Sequence, residues 1–206
     1  ATGTATAITL VETGSVTSLL SQGPPAEKKF VNAGFGTGRR EIMYNDFVII
    51  GPAPDKTGIK GKSIADALKA IKADKAVFVS RGDNSGTNKK EISLWKAAGL
   101  PVPEKEKWYV QTGQGMLASI NIAAERNGYT MTDRGTYIKS EADKGGKPPL
   151  KSLVEGDKVL LNQYSVLVIN KDRCKDTRFD TATAFVNWIT GERAQKRIGE
   201  FRLLGK

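Results

Sequence analysis

The chain has 206 residues, 39% of them apolar, and no apolar run nears the ~20 residues that a membrane-spanning helix needs, so it reads as an ordinary globular chain of one large domain or two small lobes. It holds no histidine and one cysteine, Cys174, which removes from this chain a Ser-His-Asp triad, a Cys/His zinc site, a histidine general base and an internal disulfide. Lysine and arginine number 32 against 22 acids, a formal charge of +10 that favours anionic partners. The excess is spread along the chain and not interleaved with aromatics, which argues for a solvated basic surface and against nucleic acid.

Ala1–Thr9 opens on small and hydroxyl residues, and its Gly3-Thr4 reads as the middle of a strand-to-helix motif whose strand is not present. No leader precedes Ala1, which fits a cytosolic chain or a mature form. A glycine turn at Gly14 and a short apolar run, Val16–Leu20, follow. Pro25 is placed to begin a helix over Ala26–Ala33 that Gly34 stops, and Gly36, Gly38, Arg39 and Arg40 read as a basic turn. Ile42–Ile50 is strand-like, interrupted by the polar pair Asn45-Asp46, and such a strand could cross between two lobes. Ser63 caps an amphipathic helix with Ile64, Leu68 and Ile71 on one side.

Ala76–Glu91, AVFVSRGDNSGTNKKE, is the most informative stretch. It predicts a short strand to Val79, a polar turn, and a helix starting near Ser85–Thr87 with Ile92, Leu94, Trp95 and Ala98 on its apolar face. The first N–H groups of such a helix lack partners, and its dipole is positive at that end. Gly82 and Gly86 allow close approach to the backbone, Ser80, Ser85 and Thr87 add hydroxyls, and Arg81 adds a planar cationic fork. Everything here donates except Asp83, the composition of a seat for a small oxyanion. The plainer alternative is a capped helix with Arg81 and Asp83 paired in a surface turn. Arg81-Gly82-Asp83 also spells a cell-adhesion tripeptide, which three residues in a turn do not support.

Trp108–Gln111 reads as a strand, followed by a second glycine-rich turn, Thr112-Gly113-Gln114-Gly115, and a helix over Leu117–Arg126. Tyr129–Met131 is strand-like, with Asp133 or Thr132 placed to cap a short helix, and Ser140–Leu150 reads as a Lys/Gly/Pro loop. Leu153–Val154, Val159–Leu161 and Ser165–Asn170 read as strands, with Asn162–Tyr164 a second polar interruption. One closing helix is expected over about 180–198, with Ala184, Phe185, Trp188 and Ile189 facing the core. Alternation of strands and helices predicts an α/β fold with largely parallel sheets, in which ligands sit at the carboxyl ends of strands. Both glycine-rich turns lie at that edge.

The segments RREIMYNDFVIIG (Arg39–Gly51), FVSRGDNSGTNKKE (Phe78–Glu91), GQGMLA (Gly113–Ala118), YTMTDRGTY (Tyr129–Tyr137) and Asn162–Asn170, in that order and spacing, resemble the tungstate-binding proteins of bacterial ABC transporters over nearly the whole chain. The resemblance implies a two-lobed periplasmic-binding-protein fold of type II, each lobe a mainly parallel sheet flanked by helices. Lobe one would comprise residues 1–43 and 162–206, lobe two residues 44–161. It implies a monomer, periplasmic or extracellular, without cofactor, metal or catalysis, that captures a tungstate or molybdate oxyanion between its lobes and delivers it to a membrane permease. The anion contacts carried over are Ser80, Arg81, Ser85, Gly86 and Thr87, with Gly113, Gln114 and Gly115 as a second set. Ala1–Thr6 resembles the family's next strand-end, around its Gly-Thr-Gly, with Ala5 in place of the second glycine, and this adds Thr4. The family's opening strand and threonine/serine-rich turn have no counterpart, and Thr13–Pro25 fits poorly, so the chain looks like the family without its first ~40 residues, by usual βα-unit sizes. Two other readings stay open on sequence: an enzyme that uses the Arg81 turn as a phosphate seat, with carboxylate or lysine acid–base chemistry, and a basic nucleic-acid-binding module, marked by steep salt dependence.

Overall fold

The computed structural model describes residues 17–173, 175 and 178–205, which excludes Thr4 and Cys174. Contacts divide the chain into two compact units, Ala1–Tyr44 with Asn162–Arg202, and Asn45–Leu161 with Leu203–Lys206. Among the described residues, no helix is long and apolar enough to cross a membrane.

In the first unit, β1 (Ser18–Ser21) pairs antiparallel with β7 (Leu161–Ile169), which neighbours β2 (Gly36–Pro52). From Ser165 to Ile169 β7 is buried on both faces, so Val166–Ile169 are apolar without a polar residue between them. Leu167 and Ile169 pack with Leu19 against Phe30 of α1 (Pro24–Asn32). Val166 and Val168 pack with Ile42 against Ala182 and Val186 of α6 (Phe179–Ile189).

Glu27, in the first turn of α1, is wholly buried. Its Oε1 accepts the Gly23 N–H at 2.9 Å, and its Oε2 accepts Arg39 Nε at 2.8 Å and the Ser165 hydroxyl. Burial alone would push this carboxyl up; the hydrogen bonds from Ser165, Arg39 and Gly23 outweigh it and hold the group below the ordinary carboxylate range.

In the second unit, β3 (Phe78–Ser80) lies between β4 (Tyr109–Gln111) and β5 (Tyr129–Asp133), parallel to both. The far half of β2 runs antiparallel to β5 and to β6 (Leu150–Val154). The alternation of β2 sends Phe47 and Ile49 to one face and Val48 and Ile50 to the other. The first face is covered by α2 (Ile64–Asp74) and α3 (Gly86–Ala97), whose Leu68, Ile71, Leu94 and Trp95 join Phe78 and Tyr109 in the larger core. The second is covered by α4 (Met116–Glu125) and α5 (Arg134–Asp143) through Ile120, Ala123 and Tyr137.

Several expectations change. Among the described residues, parallel pairing is confined to β5-β3-β4 of the second unit, the strands linked through crossover helices, while β1–β7 in the first unit and β2–β5 and β2–β6 in the second are antiparallel, so the pairing is mixed. The basic turn Gly36–Arg40 is the start of the 17-residue β2, and Gly38, at φ 62°, is absorbed within the strand. Residues 158–160 form a 3-10 turn capped by Asp157 instead of a strand. The Ser140–Leu150 loop is shorter, because α5 runs to Asp143. The single closing helix is two, α6 and α7 (Glu192–Glu200), divided at Thr190-Gly191. The core face of α6 is Ala182 and Val186, with the expected Phe185 and Ile189 partly buried against it; Ala184 is exposed, and Trp188 is 62% exposed.

Candidate functional site

β3 ends in Ser80, and the chain then turns through Arg81-Gly82-Asp83-Asn84 into α3. Ser85 caps the helix, its hydroxyl accepting the Asn88 N–H at 3.3 Å. That leaves the N–H groups of Gly86 and Thr87 without a partner among the described residues. The Thr87 hydroxyl likewise makes no hydrogen bond among them.

Gly82 and Asn84 take positive φ, 59° and 58°, which lets the chain reverse within four residues. A Cβ on Gly82 would stand 2.7 Å from Gln111 Cβ on the neighbouring strand. Gly82→Ala is therefore expected to lower stability by about 2 kcal/mol, from the left-handed backbone penalty and the crowding. Thermal unfolding reads this as a fall of roughly 4–8 °C; an unchanged melting temperature would contradict the geometry.

Arg81 is held by Asp83, whose Oδ2 pairs with a terminal guanidinium nitrogen and whose Oδ1 accepts the Ser85 N–H at 3.1 Å. Burial pushes the Asp83 carboxyl up, but hydrogen bonds from Ser85 and Arg81 prevail and hold it below its ordinary range. Arg81 Nε is buried and has no partner among the described residues. The guanidinium is thus oriented by an acid on one edge, and its other edge, at Nε, has no partner among the described residues.

Ser80 is placed differently from Arg81. It is 1% exposed, its hydroxyl donates to Glu91 Oε2, and it accepts Asn88 Nδ2 at 3.2 Å. Glu91 is also buried, and its Oε1 accepts Trp95 Nε1 at 2.9 Å and the Tyr109 hydroxyl at 2.7 Å. Asn88 Oδ1 accepts the Asn84 N–H at 3.0 Å, so this network supports the turn from beneath. Burial pushes the Glu91 carboxyl above its ordinary range despite four side-chain hydrogen bonds, from Ser80, Tyr109, Trp95 and Asn88. Burial and the Glu91 carboxylate together push the Tyr109 phenol up.

The second glycine-rich turn lies beside the first. Thr112 N–H donates to Ser80 O at 3.0 Å and Gly113 N–H to Arg81 O at 2.8 Å, while the Thr112 hydroxyl donates to Arg81 O at 3.3 Å. Gly113 takes φ 64° and Gly115 stands at the N-cap of α4, with Gln114 exposed between them. Gln114 N–H is taken by the Thr112 hydroxyl at 3.1 Å. The structure therefore brings Ser80, Arg81, Ser85, Gly86, Thr87, Gly113, Gln114 and Gly115 onto one edge of one unit. The Asp133-Arg134 motif serves the fold instead: Asp133 caps α5, and Arg134 clamps Asp46 at 2.8 and 2.6 Å and Glu155 at 2.7 Å.

Sequence reasoning missed Asn88, Glu91, Tyr109 and Thr112. The signal for two of them was present, since Asn88 and Glu91 lie on the same helical stripe as Leu94 and Trp95 and so face inward.

A strand-end turn of this kind, doubled on adjacent parallel strands, is the ligand edge of an open α/β sheet. The model of the PBP superfamily domain matches residues 1–193. The tungstate-binding protein TupA of Campylobacter jejuni is 47% identical over 206 residues, which are all of this chain and 76% of that protein. The solved tungstate-binding protein TupA from Desulfovibrio alaskensis is 61% identical with a TM-score of 0.95, over all of this chain and 82% of that one. The structure described as the tungstate ABC transporter from Geobacter sulfurreducens is 42% identical with a TM-score of 0.82, over 98% of this chain and 84% of that one. The chain belongs to the tungstate-binding-protein family within the PBP superfamily.

Proposed function

We propose that this protein is the solute-binding component of an ABC importer and that it captures a tetrahedral oxyanion, tungstate or molybdate, without chemical change. The observation that carries this reading is the pair of tied turns, one of which presents the N–H groups of Gly86 and Thr87 beside the buried Nε of Arg81, none of them with a partner among the described residues. Backbone donors at a helix start and a guanidinium fork suit a small dianion, whose desolvation requires a donor for each oxygen. Arg81, Gly86 and Thr87 are the principal contacts in this reading, Ser80 and Ser85 shape the turn and contribute to it, and Gly113, Gln114 and Gly115 form the second set. Thr4 is a further contact by resemblance. The two compact units serve as the lobes, the protein acts as a periplasmic monomer, and a membrane permease is its partner.

Thermal unfolding with tungstate, molybdate, sulfate, phosphate and chloride tests this. An anion at 100 times its dissociation constant adds about 2.7 kcal/mol, a rise of roughly 5–10 °C for a chain of this size. The expected result is a rise with tungstate or molybdate and none with chloride. A cooperative melt that none of these anions moves would overturn the reading.

A further inference from the structure

The Ser80 hydroxyl has one hydrogen and two lone pairs. In the structure it donates to Glu91 and accepts Asn88 Nδ2, so its one hydrogen points inward to a carboxylate and away from the turn. Ser80 nevertheless adjoins Arg81 at the strand end where the anion is proposed to sit. The two facts are reconciled if Glu91 carries a proton. The carboxyl O–H then donates to Ser80 Oγ, Asn88 fills the other lone pair, and the hydroxyl hydrogen of Ser80 is released toward the anion.

The surroundings of Glu91 favour this exchange. The carboxylate is 3% exposed, and no cation pairs with it among the described residues. From β4 it faces the Tyr109 hydroxyl, on which Glu104 also acts, and from its own helix Trp95 Nε1 and Asn88. From β3 it faces Ser80, after which come Arg81 and its partner Asp83. The buried residues of α2 are Ile64, Ala67, Leu68 and Ile71, all apolar, and those of β5 bring Tyr129, whose hydroxyl is engaged by Asp55. The preceding helix residue, Lys90, is itself partly buried, and burial pushes its ammonium below the ordinary range. A second negative charge brought to the turn above this carboxylate is therefore opposed by it, and protonation removes the opposition.

We propose that Glu91 is a positioning residue that takes up one proton from solvent as the oxyanion binds, converting Ser80 from a donor to Glu91 into a donor to the anion. No bond of the anion is made or broken, and the proton is returned on release. This rests on the oxyanion reading above.

The sign follows from linkage. A group that is more fully protonated in the complex makes affinity fall as pH rises through its titration, by at most about tenfold per pH unit for one proton. The test is calorimetry of tungstate binding to the full chain from about pH 5 to about pH 9, in buffers of different ionisation enthalpy at each pH. Wild type is expected to take up a fraction of a proton, up to one, per anion bound. Glu91→Gln, whose amide donates to Ser80 without a charge, is expected to bind with no uptake and a flat profile. Tyr109→Phe, which removes a donor from the carboxylate, should move the midpoint to higher pH and keeps the test intact if the glutamine variant folds poorly. Binding heat without uptake in wild type, or equal uptake in wild type and Glu91→Gln, overturns the proposal and leaves the oxyanion reading standing. Absence of any binding heat in wild type overturns both.

Discussion

Arg81→Ala should weaken tungstate binding at least about tenfold, the loss of one or more hydrogen bonds to a charged partner, each worth about 1.5–3 kcal/mol. Two effects act together. The anion loses the guanidinium, and Asp83, whose Oδ2 Arg81 now neutralises, is left as an unopposed carboxylate at the turn. Arg81→Lys keeps the charge but not the planar fork, and should recover only part of the affinity. Titration calorimetry on the three proteins checks this. Equal affinities in wild type and the alanine variant would remove Arg81 from the site.

The second large effect is one of stability and lies in the first unit. Glu27→Ala deletes a buried carboxylate that gathers Gly23, Arg39 and Ser165, and leaves Arg39 without its buried partner. Breaking a buried pair costs about 3–5 kcal/mol when the remaining charge stays dry. The Arg39 side chain is 17% exposed and can reach water, which brings the cost to the bottom of that range or just below it, about 2–3 kcal/mol or ~4–12 °C in melting temperature. The pH dependence has a definite sign. The carboxyl titrates lower in the folded chain than its ordinary 4.5, so its contribution is present above that pH and is lost as pH falls through the folded value. The gap between wild type and Glu27→Ala should be constant near neutrality and narrow in acid. A gap that widens in acid would mean that Glu27 is not held ionised.

Much of this architecture could be read from the amino acids because local signals agreed with it. Ser63 caps the helix it was expected to cap, Asp133, one of the two residues placed to cap α5, does so, and the Ile64–Leu68–Ile71 stripe is buried. The Arg81 turn was legible because its residue types are poor choices for anything except turns and caps. Where reading failed, long-range contacts decided. Nothing local marks Gly36–Arg40 as strand; pairing with a neighbour makes it so, and Arg39 points to Glu27, 12 residues away. Trp188 was expected inside because it is aromatic and correctly spaced, yet Ala182 and Val186 face β7 and turn it outward. Glu91 was passed over because a glutamate behind two lysines looks like a solvated face; only the approach of Ser80 and Tyr109 from two strands supplies the donors that let it be buried.

The carbonyl of Arg81 receives both the Gly113 N–H and the Thr112 hydroxyl, and that of Ser80 receives the Thr112 N–H. The two turns therefore share their degrees of freedom, and folding has already removed the entropy that a pair of independent loops would surrender on meeting an ion. In the proposed site their donors act as one seat whose order is inherited from the β3–β4 pairing. In such a seat affinity and conformational stability cannot be tuned apart: a substitution that loosens the two strands, even one that leaves every donor in place, will be felt by the anion as a less organised partner.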